Sequence, residues 1–247
     1  MKNRTLAASA LLMLTIVIAG AGPWQLSLIL KIVLVAFFAI GWPRYLGIPA
    51  RKTLSLVIGI VGAIGMLIAH FTPASDLRGL LGWLAPVIAL GIGAVIVVQL
   101  IRGTGQSHRL ESGFGSVTGV ILVTSGAGWL AILRSSGGFE LLPGAAACVL
   151  VVVLLSMTSW PDQIVAPFGL ALGALAAALV TLLISGPDFL IAAIVAALVT
   201  AAIFLGFRKM MIMAQPPTEI LSQLALGAAP VLALGSMLYF VGRSFLL

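Results

Sequence analysis

Charge is what this chain has least of. Its 247 residues include 13 Lys+Arg and 6 Asp+Glu, so 8% are charged, where soluble domains carry about 25%. A soluble fold of this length must cover its surface with polar groups, and so few charges cannot do that. A soluble enzyme and a disordered chain are both excluded. Cysteine is nearly absent. The single Cys148 lies in an apolar run, which rules out an intramolecular disulfide, a disulfide scaffold and a thiolate metal cluster. Plain burial is its expected state. Two histidines leave little material for metal chemistry.

Acids are scarcer than bases, and none of the six falls inside an apolar run. That counts against a proton- or sodium-coupled carrier built on a membrane carboxylate. The chain also lacks H-E-x-x-H, G-x-S-x-G, a Walker A loop and a paired-Asp motif at a span boundary. Its loops are too short for a soluble catalytic domain. No catalytic residue, metal site or cofactor is expected, and a non-enzyme is favoured over an enzyme.

What is present is apolar. Hydrophobic residues make up 62% of the chain and mean hydropathy is +1.26. A bilayer core of about 30 Å needs about 20 apolar residues per helix. That rule predicts an all-α, polytopic membrane protein forming one integral membrane domain over 1–247. About nine spans are expected, near 5–22, 24–42, 53–72, 79–101, 113–134, 141–159, 164–185, 187–207 and 219–241. The breaks between them combine turn formers with the few charges, as at Gly22-Pro23, Trp160-Pro161-Asp162 and Gly186-Pro187-Asp188. Segment 1–22 reads as a first transmembrane helix, although Lys2 and Arg4 ahead of an apolar run and a small-residue end also fit a signal peptide.

The net charge of +7 would suggest nucleic acid if the bases formed a soluble patch. They occur singly or in pairs between apolar runs instead, so no nucleic-acid partner is expected. With the N-terminus inside, the inner loops hold Lys2, Arg4, Arg44, Arg51, Lys52, Arg102, Arg109, Arg208 and Lys209. The outer side holds Arg78, Arg134 and Arg243. The positive-inside rule therefore predicts N-in, C-out, in a plasma membrane or a bacterial inner membrane. Trp24, Trp42, Trp83, Trp129 and Trp160 fall near span ends, where an aromatic belt would place them.

An internal repeat is suggested. Trp42-Pro43 with Pro49 and Trp160-Pro161 with Pro167 share one offset, and Glu111 with Gly119 matches Glu219 with Gly227 at another. Units 24–134 and 141–241 would then form a 4+4 parallel repeat behind one leading helix. Repeat transporters bind substrate near the midplane, between units.

Lys31 is the single charge clearly inside a span. It lies seven residues after Trp24, about 10 Å deep at 1.5 Å per residue. Charges at such depth usually face the bundle interior or water, so Lys31 is a candidate substrate site for an anion. The competing reading is snorkelling of its stem toward the headgroups. His70 reads as an interfacial histidine. In the polar loop 102–109, Arg102, His108 and Arg109 are candidate ligands for a phosphate or an anionic lipid headgroup. Glu111 and Glu219 read as first-turn carboxylates stabilised by the helix dipole, Glu219 with Thr218 as its cap. Asp162 and Asp188 read as turn and cap residues. Gly169 with Gly173, Gly115 with Gly119, and Ala85, Ala89 and Gly93 repeat the small-xxx-small spacing that lets helices approach in lipid. Such faces serve internal packing, a protein partner or a homo-oligomer equally well. Pro86 and Pro230 are expected to kink their helices.

These features point first to a permease-like protein for an anionic or lipid-like solute. The alternative is a non-transporting scaffold or assembly subunit of an envelope or respiratory complex. A membrane enzyme acting on lipids would need Arg102, His108, Arg109 and Glu111 to cluster.

Overall fold

A computed structural model of the chain describes residues 2–48, 50–73, 79–102, 109–213 and 219–246. The described residues form helices and no strands. The order is α1 (Lys2–Gly20), α2 (Trp24–Tyr45), α3 (Arg51–Phe71), α4 (Leu84–Ile101), α5 (Arg109–Ser125), α6 (Gly128–Arg134), α7 (Leu142–Met157), α8 (Asp162–Ile184), α9 (Leu190–Met213) and α10 (Ile220–Leu246), with short 3-10 turns at Phe139–Leu141 and Pro187–Phe189. In lipid every backbone polar group must be satisfied within the segment, and helices do this. Among the described residues, eight helical segments are long and apolar enough to cross a membrane. By length and composition the chain is a multi-pass, membrane-embedded protein. The apolar part of α1, Thr5–Gly20, is shorter than these.

The segment expected at 113–134 is one span, Leu110–Arg134, made of two helices. At its break Ala127 N–H donates to Thr124 O at 3.0 Å, and Trp129 and Leu130 donate to Gly126 O and Ala127 O at 3.1 and 3.0 Å. Three-residue bonds here join the four-residue ones, which tightens the chain where α5 meets α6.

Helix α10 is the axis of the bundle. Residues 225–232 are all buried, so no face of this stretch meets lipid. It packs against α1, α2, α5, α6 and α9. The closest approach is at Gly128 of α6, where a Cβ would collide with the backbone of Gly235. The reciprocal Cβ at Gly235 would stand 2.7 Å from Ser125 O. Glycine on both sides is what permits this crossing. Helix α1 is part of the same packing: Ser9 Oγ donates to Gly227 O at 2.8 Å, and Leu6, Met13 and Ile16 are buried.

The contacts sort helix ends onto two faces. One, here the N-face, joins Thr5 with Gly227, Gly41 with Leu221, and Gly115 with Leu46. The other, the C-face, joins Gly20 with Leu133, and Gly137 with Phe189 and Leu246. On the C-face Gly79 adopts φ +76°, a left-handed conformation that favours glycine. Next to it Leu80 N–H donates to Tyr239 Oη at 3.1 Å, pinning this loop to the end of α10.

Several sequence expectations need correction. Trp42 and Trp129 do not belong to an interfacial belt. Both are buried, and their indoles donate to Gly115 O at 2.9 Å and Val231 O at 2.8 Å. Trp83 and Trp160 are exposed as a belt requires, and the side chain of Trp24 lies outside the described residues. Trp42 sits inside α2 while Trp160 precedes α8, so the two Trp-Pro pairs that mark the repeat occupy different environments. Pro86 falls in the first turn of α4, where a missing N–H costs no helix bond. Pro230, Pro167 and Pro43 are the prolines inside helices. The small residues divide. Gly119 faces Trp42 and Ile58, and Gly173 faces Cys148 and Val152, so these are internal contacts. Gly93 has open space around it. Helix α4 instead buries Leu84, Val87, Gly91 and Val95.

Candidate functional site

Lys31 is placed by α2, whose apolar face packs on α10 and whose N-terminal half also meets α1. The side chain is 1% exposed. It bends back one turn and donates to Ser27 Oγ, which takes one of its three donors. No acid among the described residues pairs with it, because none lies at its depth. Burial of an unpaired charge is costly. This position therefore asks for a reason other than packing.

Two cavities meet at this pair. Lys31 lines a crevice of about 270 Å³ together with Leu12, Ile16, Phe37, Phe38 and Leu224 of α1, α2 and α10. Its walls are almost wholly apolar. Ser27 lines a second cavity, of about 360 Å³, with Gly20, His70 and Arg134. That one lies on the C-face and mixes these polar groups with the apolar side chains of Leu130 and Leu133. The Arg134 guanidinium donates to Ala69 O at 2.8 Å and His70 O at 2.6 Å. It thus caps the last carbonyls of α3 while reaching the cavity, and a cation suits a helix C-terminus. The His70 ring stands edge-on to Phe71, with centroids 4.9 Å apart. Neither wall contributes an acid.

Sequence reasoning named Lys31, read His70 as an interfacial histidine, and missed Ser27 and Arg134 as site residues. Ser27 is an ordinary residue in an apolar run. Arg134 counted there only toward orientation. Their convergence depends on how α2, α3 and α6 pack, which no local pattern encodes.

Of the other expected site, only the Arg102 side chain lies within the described residues. Arg102 Nη1 donates to Gln99 Oε1 at 3.1 Å, and Gln99 Nε2 donates to the buried Ser112 Oγ at 2.8 Å. This knot ties α4 to α5. Arg109 opens α5, but its side chain lies outside the described residues, and so does all of His108. Thr218 is outside them too. Glu219 accepts the Gln223 amide through its own carbonyl at 3.1 Å.

Asp162 does more than end a turn. It forms an ion pair with Arg208, which is 4% exposed while Asp162 is 47% exposed. Arg208 also reaches Trp160 O at 3.5 Å. Cys148 is buried as expected, and its thiol donates to Ala197 O at 3.3 Å. No group of three or more His, Cys, Asp or Glu among the described residues could hold a metal. Comparison with family models, curated proteins and solved structures finds no match.

Proposed function

We propose that this protein is a permease-like carrier that moves an anionic or lipid-like solute. The observation that carries the reading is Lys31, a buried cation without an acid partner among the described residues, set between an apolar crevice and a cavity that carries Ser27, His70 and Arg134. A solute with an acidic head and an apolar body matches that pair of environments. Arg134 and His70 would meet the head at the C-face, Lys31 would hold it deeper, and the crevice between α1 and α2 would take the apolar part. The position also fits the proposed 4+4 repeat, since α2 and α10 belong to different units and Lys31 lies where they pack. The Arg134 end faces outward and the N-terminus inward if the basic residues orient the chain. Among the described residues the site has no carboxylate for proton coupling, which favours a passive or charge-driven step.

The scaffold reading has its own support. The Gly128–Gly235 crossing brings two backbones into contact, and such a joint resists sliding. It remains the second reading because it gives no role to Lys31.

Reconstituted protein in liposomes decides between them. Two probes are used, entrapped inorganic phosphate and a fluorescent phosphatidylglycerol whose leaflet exchange is followed by quenching. Carriage predicts that at least one probe moves faster than in protein-free liposomes. Lys31→Leu should abolish that excess, and Lys31→Arg should keep part of it. Rates equal to protein-free liposomes for both probes, or a Lys31→Leu rate equal to wild type, would overturn the reading.

A further inference from the structure

A second apolar cavity is larger than the two at Lys31 and Ser27. A groove of about 1070 Å³ runs between α2 and α3, and its cationic end lies on the N-face. Its apolar walls come from Ile32, Ala36 and Ile40 of α2 and from Leu56, Gly59 and Ile60 of α3. The N-face end is lined by Arg44, Arg51 and Lys52. All three are exposed, and no acid partners them among the described residues.

Their placement is unfavourable by itself. Arg51 and Lys52 occupy the first turn of α3, which carries no acidic residue and no side-chain cap. Cations there oppose the helix dipole, and the free amides of the first turn favour an anion instead. Arg44, in the last turn of α2, adds a third positive charge to the same end. An anionic group at this point would relieve repulsion among the three and satisfy the helix end.

The groove has the right depth for the rest of a lipid. From Arg44 to Ile32 along α2 is about 18 Å at 1.5 Å per residue. One leaflet of a hydrocarbon core of about 30 Å is about 15 Å deep. A charged head at the interface and an apolar channel one leaflet long are the two halves of a phospholipid.

We infer that the α2–α3 groove binds one anionic phospholipid of the N-face leaflet, its phosphate held by Arg44, Arg51 and Lys52 and an acyl chain laid between the helices. The site is separate from Lys31 and does not depend on transport. It also moves the headgroup site away from Arg102, whose guanidinium is engaged by Gln99.

The test uses the full chain purified in mild detergent from mixed phosphatidylglycerol and phosphatidylcholine. Retained lipid is counted by native mass spectrometry. Wild type should keep one phosphatidylglycerol in preference to phosphatidylcholine. Each basic residue near an anionic headgroup is worth roughly fivefold, so R44Q/R51Q/K52Q should lower that preference by about a hundredfold. R44K/R51K should keep most of it. Gly59→Leu leaves every charge in place but fills the channel, because a Cβ at Gly59 meets only Ala39 at 3.5 Å. It should lose the lipid as well. Lys209→Gln, at an exposed N-face base outside the groove lining, should retain it. Loss of preference in Lys209→Gln, or unchanged retention in the triple variant or in Gly59→Leu, would overturn the assignment. So would displacement of the lipid by millimolar inorganic phosphate, since that would make it a site for the free anion.

Discussion

Glycine at position 128 decides how closely two spans can cross. A Cβ there meets backbone atoms of Gly235 and Ser236, and backbone cannot rotate away as a side-chain end can. Overpacking of a tight site costs about 1–3 kcal/mol, occasionally more, and a rigid neighbour puts Gly128→Ala at the upper end. Gly93→Ala is the matched control, since its Cβ would meet nothing within 4 Å. Thermal unfolding in detergent should show Gly128→Ala melting well below wild type and Gly93→Ala melting with it. Equal melting of both variants would mean that the α6–α10 crossing is looser than described. The contrast also marks a limit of sequence reading at this scale. Both glycines look alike in the sequence, each flanked by apolar residues, and the spacing that flagged Gly93 passed over Gly128. Only the partner helix distinguishes them.

Elements are where hydropathy reads best and where it stops. Eight of the nine expected segments correspond to helical segments long and apolar enough to cross a membrane, and the first corresponds to the shorter α1, because a run of about 20 apolar residues has few other stable forms in lipid. The interruption of Leu110–Arg134 at Gly126–Ala127 was not legible, since glycine and alanine are ordinary in membrane helices. Nor was the choice of buried tryptophans, since apolar surroundings in sequence fit bundle interior and lipid equally. The link between α8 and α9 was missed because its partners, Asp162 and Arg208, are far apart in the chain and each had a sufficient local explanation. That link has a measurable strength. Asp162→Asn removes the carboxylate charge facing an almost fully buried guanidinium. A hydrogen bond to a charged group contributes about 1.5–3 kcal/mol, and the half-exposed carboxylate places this one toward the lower value. Asp162→Asn should therefore lower the melting temperature, and Asp162→Glu should restore part of it. If Asp162→Asn melts like wild type, the pair contributes nothing to holding α8 against α9.

For the whole molecule, the scarcity of charge turns into a statement about sides. Arg44, Arg51, Lys52, Arg102, Arg109, Arg208 and Lys209 all fall at helix ends on the N-face, and Arg134 and Arg243 at helix ends on the C-face. The packing thus gathers onto one surface the bases that the sequence assigned to inner loops. If the positive-inside rule governs, that surface faces the cytoplasm. It would then carry the α2–α3 groove, while the cavity of Ser27, His70 and Arg134 opens outward. A single-cysteine map tests this directly, because the native Cys148 is fully buried and its thiol is engaged by Ala197. Wild type should resist a membrane-impermeant maleimide and serve as its own blank. Ser136→Cys, exposed on the C-face, should label in intact cells. Lys209→Cys, exposed on the N-face, should label only after permeabilisation. The reverse pattern would turn the molecule over. It would place the Lys31 cavity on the cytoplasmic side and make the bases of the N-face a binding surface rather than an orientation signal.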